Sequence, residues 1–158
     1  MAVSETYPAG ASAAPPVTRR MVIAVLALVG FFISVYLTLF KLGIIGQLSC
    51  GSGSCDLVNL SAWGSFLGIP VAAWGVGYYA ALFAIAFAGA HERWSAHPMV
   101  PRLLLLLAGW GLLFSAYLTY LELFVIHAIC RWCVVSALLV LTILAVVIWD
   151  WRASQRSR

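Results

Sequence analysis

The residues best suited to chemistry in this chain are four cysteines, which occur as two pairs, Cys50/Cys55 and Cys130/Cys133. A thiolate is both a nucleophile and a metal ligand, and two neighbouring thiols form a disulfide by giving up two electrons. Cysteine pairs therefore serve as structural disulfides, as parts of a metal site or as redox centres. The residues around each pair indicate which of these three functions it has.

The second pair, Cys130-Arg131-Trp132-Cys133, opens a long apolar segment. On a helix, residues three apart share one face, so a disulfide between these cysteines is geometrically possible. Cys130 would lie at the positive end of the helix dipole and beside Arg131, and both conditions favour the reactive thiolate. A redox centre, a structural disulfide and half of a four-cysteine zinc site remain open, and we favour the redox interpretation.

The first pair is separated by Gly51-Ser52-Gly53-Ser54, small residues that leave the backbone free to bend. A mobile pair could meet an external protein in one position and the second pair in another, exchanging disulfides through mixed intermediates. The same loop is equally typical of a structural disulfide hairpin. A zinc ribbon usually carries two Cys-x-x-Cys knuckles, which this spacing does not provide, so we predict no metal.

Membrane-spanning helices are the elements predicted to position these cysteines. Of the 158 residues, 64% are hydrophobic and 9% are charged, which is too little polarity to cover a soluble globule. About 20 apolar residues are needed to cross a bilayer as a helix. The predicted fold class is an all-α membrane protein, a bundle of four transmembrane helices with an extracytoplasmic loop or half-helix that carries a cysteine pair. The predicted spans are residues 21–40, 70–89, 103–125 and 130–149, with loop 42–69 after the first span.

The distribution of basic residues predicts the orientation of the bundle. Seven basic residues lie beside span ends on one side and two on the other, and an excess of Lys and Arg marks the cytoplasmic side. This count places both termini in the cytoplasm and both cysteine pairs outside, in an oxidising compartment. We expect a redox domain over residues 19–152, a disordered cytoplasmic tail over 1–18 and a second tail over 153–158. The seven residues are Arg19, Arg20, Arg93, Arg102, Arg152, Arg156 and Arg158, and the two are Lys41 and Arg131. Because the basic residues form no stripe among stacking aromatics, no nucleic-acid partner is predicted.

Several segments resemble the vitamin K epoxide reductase family, especially its bacterial members. They are Ser34-Val35-Tyr36-Leu37-Thr38, the stretch from Cys55 through Asp56-Leu57-Val58-Asn59-Leu60-Ser61-Ala62-Trp63 to Gly64, Phe66-Leu67-Gly68-Ile69-Pro70, Tyr117-Leu118-Thr119-Tyr120-Leu121-Glu122 and Cys130-Arg131-Trp132-Cys133. The similarity covers about residues 21–150. It implies a four-helix bundle around a quinone in a bacterial cytoplasmic membrane, with a short half-helix after the loop cysteines.

The resemblance also implies an order of events and a set of site residues. Cys50 would exchange disulfides with an extracytoplasmic thioredoxin-like carrier, Cys55 would bond transiently to Cys130, and Cys133 would reduce a quinone of the menaquinone, ubiquinone or vitamin K type. Ser61 would assist at the quinone by hydrogen bonding, although as a residue type it also suits the N-cap of the half-helix. Trp63 would line the quinone site or anchor the chain at the membrane interface.

Two features of the sequence depart from the family pattern. The chain ends at Arg158, so a thioredoxin-like partner is expected to act in trans, and Ala137 stands where vertebrate members have a quinone-binding tyrosine. The predicted function is therefore a membrane thiol:quinone oxidoreductase that generates disulfides. The alternatives are a reductase of vitamin K quinone or epoxide, and a non-enzymatic tetraspan protein with structural disulfides or a metal site. The disulfide bond formation protein B family has similar chemistry but the opposite order of cysteine pairs.

Overall fold

A computed structural model describes residues 16–46, 48, 54–95 and 97–156. Four long helices dominate it, with short elements between the first two. The order is α1 (Pro16–Lys41), α2 (Ser54–Leu60), a 3-10 turn (Ala62–Gly64), β1 (Ser65–Phe66), β2 (Ile69–Pro70), α3 (Val71–Ala90), α4 (Glu92–Ser95), α5 (Met99–Leu121), a π-helical turn (Glu122–Ile126) and α6 (Arg131–Arg156). Of these, α1, α3, α5 with its π-helical turn, and α6 are long and apolar enough to cross a membrane. The predicted all-α fold with four spans is confirmed.

The helix ends differ from the predicted span ends because prolines begin helices well. α1 starts at Pro16 and so includes residues 16–18, which the sequence had assigned to a disordered tail. α5 starts at Met99 and carries Pro101 in its first turn, four residues before the predicted start of the third span. A proline in the first turn loses no helical hydrogen bond, because its missing N–H would have no partner there. The rest of the predicted tail, residues 1–15, lies outside the described residues.

Small residues let the helices approach closely at the centre of the bundle. A side chain at Gly30 of α1 would overlap the ring of Tyr79 in α3, and one at Gly111 of α5 would overlap the Tyr78 hydroxyl. A buried core joins the four long helices, and large apolar side chains such as Phe32 remain exposed on the outer faces. Such an outer surface suits lipid, since a water-soluble monomer rarely exposes so much apolar area.

One end of the bundle, which we call the arginine end, is held together by Arg19, Arg20 and Asp150. The Nε atoms of Arg19 and Arg20 each lie 3.1 Å from a different oxygen of Asp150, and all three residues are buried. Nη1 of Arg20 also donates to the backbone oxygens of Gly89, at 2.7 Å, and Ser95, at 2.9 Å. This network ties α1 to α6 and to the α3–α4 connection, and each buried charge in it has a partner.

The opposite end, which we call the cysteine end, carries the short elements. β1 and β2 form an antiparallel hairpin in which Ser65 pairs with Pro70 and Phe66 with Ile69. Its two turn residues, Leu67 and Gly68, both have positive φ angles, as hairpin turns with a right-handed strand twist require. At the end of α1, Lys41 donates a hydrogen bond to the backbone oxygen of Asn59. This bond fixes α2 over the end of the bundle.

Candidate functional site: a dithiol beside an apolar cavity

Cys130 and Cys133 are free thiols at the start of α6. Cys130 is completely buried, and its N–H donates to Glu122 Oε2 at 3.1 Å. Glu122 reaches this position because α5 widens into a π-helical turn and the chain then reverses at His127, which has a φ of 54°. π-helical turns within helices often occur at functional sites. The local fold thus places a carboxyl group against the N-terminus of the helix that carries the dithiol.

The environment of Cys130 favours its thiolate. The hydrogen bond from the Cys133 thiol is the largest effect that lowers the pKa of Cys130, and the N–H groups of Cys133 and Trp132 act in the same direction. Burial and the nearby Glu122 oppose this shift, but the pKa remains below its usual value. The direction agrees with the sequence-based prediction. The leading cause is the neighbouring thiol, whereas the sequence had pointed to the helix dipole and Arg131.

Alkylation kinetics test this assignment. In a reduced variant that carries Cys50→Ala and Cys55→Ala, alkylation of Cys130 by iodoacetamide should have its inflection at a lower pH than that of an ordinary thiol. Because only the thiolate reacts, the rate should fall as the pH drops through the lowered pKa. Adding Cys133→Ala removes the main hydrogen-bond donor and should move the inflection to higher pH. An inflection that does not move would contradict the assignment.

Cys55 lies beside the second cysteine pair. α2 buries it completely in a cluster with Val58 and Cys130, against which Cys133 also packs. Cys55 is disulfide-bonded, whereas Cys130 and Cys133 are free. Cys50, which the sequence assigned to the same pair, lies outside the described residues. Of the four cysteines predicted to act together, the structure therefore brings three into one cluster.

A cavity of about 570 Å³ lies between the helices at this end of the bundle. It falls within the range of about 300–1,000 Å³ that is typical of small-molecule sites. Most of its wall is apolar and comes from α3 and α5, while α6 contributes Cys133 and the π-helical turn contributes Glu122. An apolar cavity bounded by a thiol suits a lipid-soluble electron acceptor. Among the described residues, no group of three or more His, Cys, Asp or Glu side chains is arranged to hold a metal ion.

A few polar side chains interrupt the apolar wall of the cavity. Asn59 Nδ2 donates to the backbone oxygen of Cys55 at 2.9 Å and lies 3.9 Å from Cys130 Sγ. The Tyr79 hydroxyl lies 2.7 Å from Ser136 Oγ, so these two groups satisfy each other. The buried Tyr78 hydroxyl has no hydrogen-bond partner among the described residues. A buried unpaired donor is costly in a protein alone, so Tyr78 suits a ligand with a polar oxygen.

Asn59, Tyr78 and Glu122 were not among the predicted site residues. For Asn59 a signal was present, because it lies four residues after Cys55 in a predicted half-helix and hence on the same face. Tyr78 gave no comparable signal, since its isolation depends on how α3 packs against Gly111. The position of Glu122 depends on a π-helical turn that the apolar pattern of the third span does not reveal.

The two remaining predicted residues, Ser61 and Trp63, have different surroundings. The Ser61 hydroxyl donates to the backbone oxygen of Val58 at 2.7 Å, and Ser61 is not part of the cavity wall. Ser61 follows α2 and precedes the 3-10 turn, where the described residues include no capping hydrogen bond from its side chain. Ser61 thus takes the N-cap position of the 3-10 turn rather than of α2, without the side-chain capping bond that the N-cap interpretation expects. Trp63 lines the cavity and is 50% exposed, so its place fits both a cavity wall and an interfacial anchor.

The fold and site define a class, the four-helix membrane proteins that hold a free dithiol at the wall of an apolar cavity. The family model described as Vitamin K epoxide reductase family matches residues 21–148. The chain belongs to this family. It is accordingly an integral membrane oxidoreductase that acts on thiols and is linked to quinones.

Proposed function

We propose that the protein generates disulfides by oxidising a thioredoxin-like partner and passing the electrons to a membrane quinone. The observation that carries this proposal is the position of Cys133, whose side chain lines the cavity while its neighbour Cys130 packs against Cys55. One end of the dithiol thus meets the site for an acceptor, and the other end meets the cysteine that would deliver electrons. A purely structural cysteine would need neither neighbour.

The electron path consists of two thiol–disulfide exchanges. After the partner reduces the Cys50/Cys55 pair, the Cys55 thiolate attacks Cys130 of a Cys130–Cys133 disulfide and releases Cys133 as a thiolate. Cys50 then attacks Cys55, which restores the first disulfide and releases Cys130. A disulfide-bonded Cys55 with free thiols at Cys130 and Cys133 is the state expected after this transfer. The lowered pKa of Cys130 makes it a good leaving group in the second step.

The cavity fits a quinone of the menaquinone, ubiquinone or vitamin K type. A quinone ring has an apolar body and two carbonyl oxygens, so it needs an apolar enclosure and one or two hydrogen-bond donors. Tyr78 can supply a donor, and Asn59 and Trp63 would form part of the wall. When bound, a quinone would accept two electrons and two protons. Ser61 would act only indirectly, by fixing the end of α2 through its bond to Val58.

The direction of the bundle in the membrane follows from its charges. The basic residues concentrate at the arginine end, so the rule of positive cytoplasmic loops places that end and both termini in the cytoplasm. The cysteine end then faces the extracytoplasmic side of a bacterial cytoplasmic membrane. There the redox domain, residues 19–152, would meet a thioredoxin-like carrier supplied in trans.

Quinone-dependent turnover in detergent tests this function. The purified protein is mixed with a reduced thioredoxin-like protein and, in turn, with menaquinone, ubiquinone and vitamin K quinone, and loss of partner thiols is followed together with quinol formation. The proposal predicts that thiols lost and quinol formed match in a ratio of two to one, because each disulfide yields two electrons. Oxidation of the partner in the absence of any quinone at the same rate, or no turnover with any quinone, would overturn the proposal.

A further inference from the structure

Glu122 is an unusual residue for its place in the fold. It lies near the end of an apolar span, yet only 5% of its surface is exposed and it lines the cavity together with Cys133. A buried carboxyl group in a membrane segment is costly and commonly marks a functional site. The structure gives it two partners on α6, the backbone N–H of Cys130 at 3.1 Å and the side chain of Cys133.

One of these contacts positions the carboxyl group, and the other brings it to the thiol proton. Oε2 accepts the Cys130 N–H, which holds the group against the start of α6. The hydrogen bond with the Cys133 thiol places the carboxyl group where the thiol proton leaves. Because both Glu122 and Cys133 face the cavity, a proton taken from the thiol can be passed into the cavity without crossing the bundle.

We propose that Glu122 is a catalytic residue, an inference that rests on the proposed function. It takes the proton of Cys133 when the Cys130–Cys133 disulfide forms, and it passes this proton to the reduced quinone. In the dithiol state the Cys133 thiol interacts with both the Cys130 thiolate and the carboxylate, so its proton is within reach of Glu122. Oxidation removes that donor, so the carboxylate is protonated in its place. Transfer of the proton to a quinone oxygen restores the carboxylate for the next cycle.

The bonds and electrons balance over the step. The S–H bond of Cys133 breaks, one S–S bond forms with the Cys130 thiolate, and a bound quinone would take up the two electrons. The proton of Cys133 travels through Glu122 to one quinone oxygen. Cys130 has already given its proton to solvent as a thiolate, and solvent would supply the proton for the other oxygen. Glu122 ends the cycle as it began.

Other titratable groups around Glu122 are less well placed for this transfer. Lys41 of α1 donates to the backbone oxygen of Asn59, and Tyr79 of α3 is paired with Ser136. Cys55 of α2 is disulfide-bonded, and His127 is not among the described residues that line the cavity. Within the part of the chain that the structure describes, the titratable residues in contact with Glu122 are Cys130 and Cys133.

Infrared difference spectroscopy on quinone-free protein tests the inference directly. Oxidation of the dithiol with diamide should produce the carbonyl band of a protonated carboxylic acid. The band should be absent in Glu122→Gln, whose amide oxygen can still accept the Cys130 N–H, and present in Glu92→Gln, which changes an exposed acid in α4. If the Gln variant does not fold, Glu122→Asp should shift the frequency of the band. A band that persists in Glu122→Gln, or does not shift in Glu122→Asp, would overturn the inference.

Quinone turnover provides the second measurement. Glu122→Gln should lower the rate by about a hundredfold to ten-thousandfold, the usual range for loss of a general base or acid. Glu92→Gln should keep the wild-type rate. A Gln variant that turns over at the wild-type rate would also overturn the role of Glu122. Absence of turnover in the wild type would instead overturn the proposed function, and the infrared band would still decide whether Glu122 receives the proton.

Discussion

Replacing Cys133 with alanine is expected to lower quinone reduction by more than about ten-thousandfold, as loss of a covalent nucleophile generally does. Among the described cysteines, Cys133 is the one whose side chain lines the cavity. Without this sulfur, the dithiol cannot close to a disulfide and electrons cannot leave Cys130 toward a quinone. Quinol formation with a reduced thioredoxin-like partner measures the effect.

A control on the same helix separates this loss from a general disturbance of α6. Thr142→Ala changes an exposed residue whose hydroxyl bonds only to the backbone oxygen of Leu138 among the described contacts, and it should keep wild-type turnover. Binding of quinone to Cys133→Ala, followed through quenching of tryptophan fluorescence, should be retained because the apolar wall is unchanged. Substantial quinone reduction by Cys133→Ala would show that another group transfers the electrons.

Replacing Asp150 with alanine is expected to reduce the free energy of unfolding by about 3–5 kcal/mol, the usual loss when one partner of a buried ion pair is removed. Asp150 is 1% exposed, and each of its oxygens accepts from a different arginine. The variant would leave the cations of Arg19 and Arg20 buried without their carboxylate. Denaturant unfolding in detergent micelles, followed by helical circular dichroism, measures the loss.

Arg152→Ala is the matched control for this prediction, because Arg152 lies on the same helix two residues later and is exposed. Its unfolding free energy should stay within about 0.5 kcal/mol of the wild type. If Asp150→Ala were as stable as Arg152→Ala, the two arginines would have to be solvated. The network of Arg19, Arg20 and Asp150 would then not hold the arginine end together.

The fold was largely predictable because lipid imposes a simple rule on the chain. Four apolar segments of sufficient length had to be helices, since backbone groups in a bilayer must pair within their own segment. The exact ends were less predictable. α1 and α5 extend beyond the predicted spans because Pro16 begins α1 and Pro101 fits the first turn of α5, and a hydropathy pattern does not record that ability.

The site was predictable to the extent that it depends on spacing along one helix. Cys130 and Cys133 had to be neighbours on α6, and Cys55 was expected to reach Cys130 because of the family resemblance. The residues that form the wall of the cavity were harder to predict, because they depend on how the helices pack. Glu122 faces the dithiol only because a π-helical turn interrupts α5, and the Tyr78 hydroxyl lacks a partner because α3 passes close to Gly111.

The assignment of Ser61 to the quinone stays a prediction, and its neighbours in the structure differ from those that the resemblance implies. The resemblance placed Ser61 at the quinone, but in the structure its hydroxyl is bonded to the Val58 oxygen and Asn59 reaches the cavity instead. Both residues belong to one short segment. Asn59 lies within α2 and lines the cavity, whereas Ser61 follows the end of α2 and does not.

Disulfide mapping of a variant that combines Cys50→Ala with Cys133→Ala tests the proposed electron path most directly. Only Cys55 and Cys130 then remain, and they already share a buried cluster. On mild oxidation, peptide mapping by mass spectrometry should find an intramolecular Cys55–Cys130 disulfide in most of the protein. Two free thiols, or disulfides formed only between separate molecules, would contradict exchange between the two cysteine pairs.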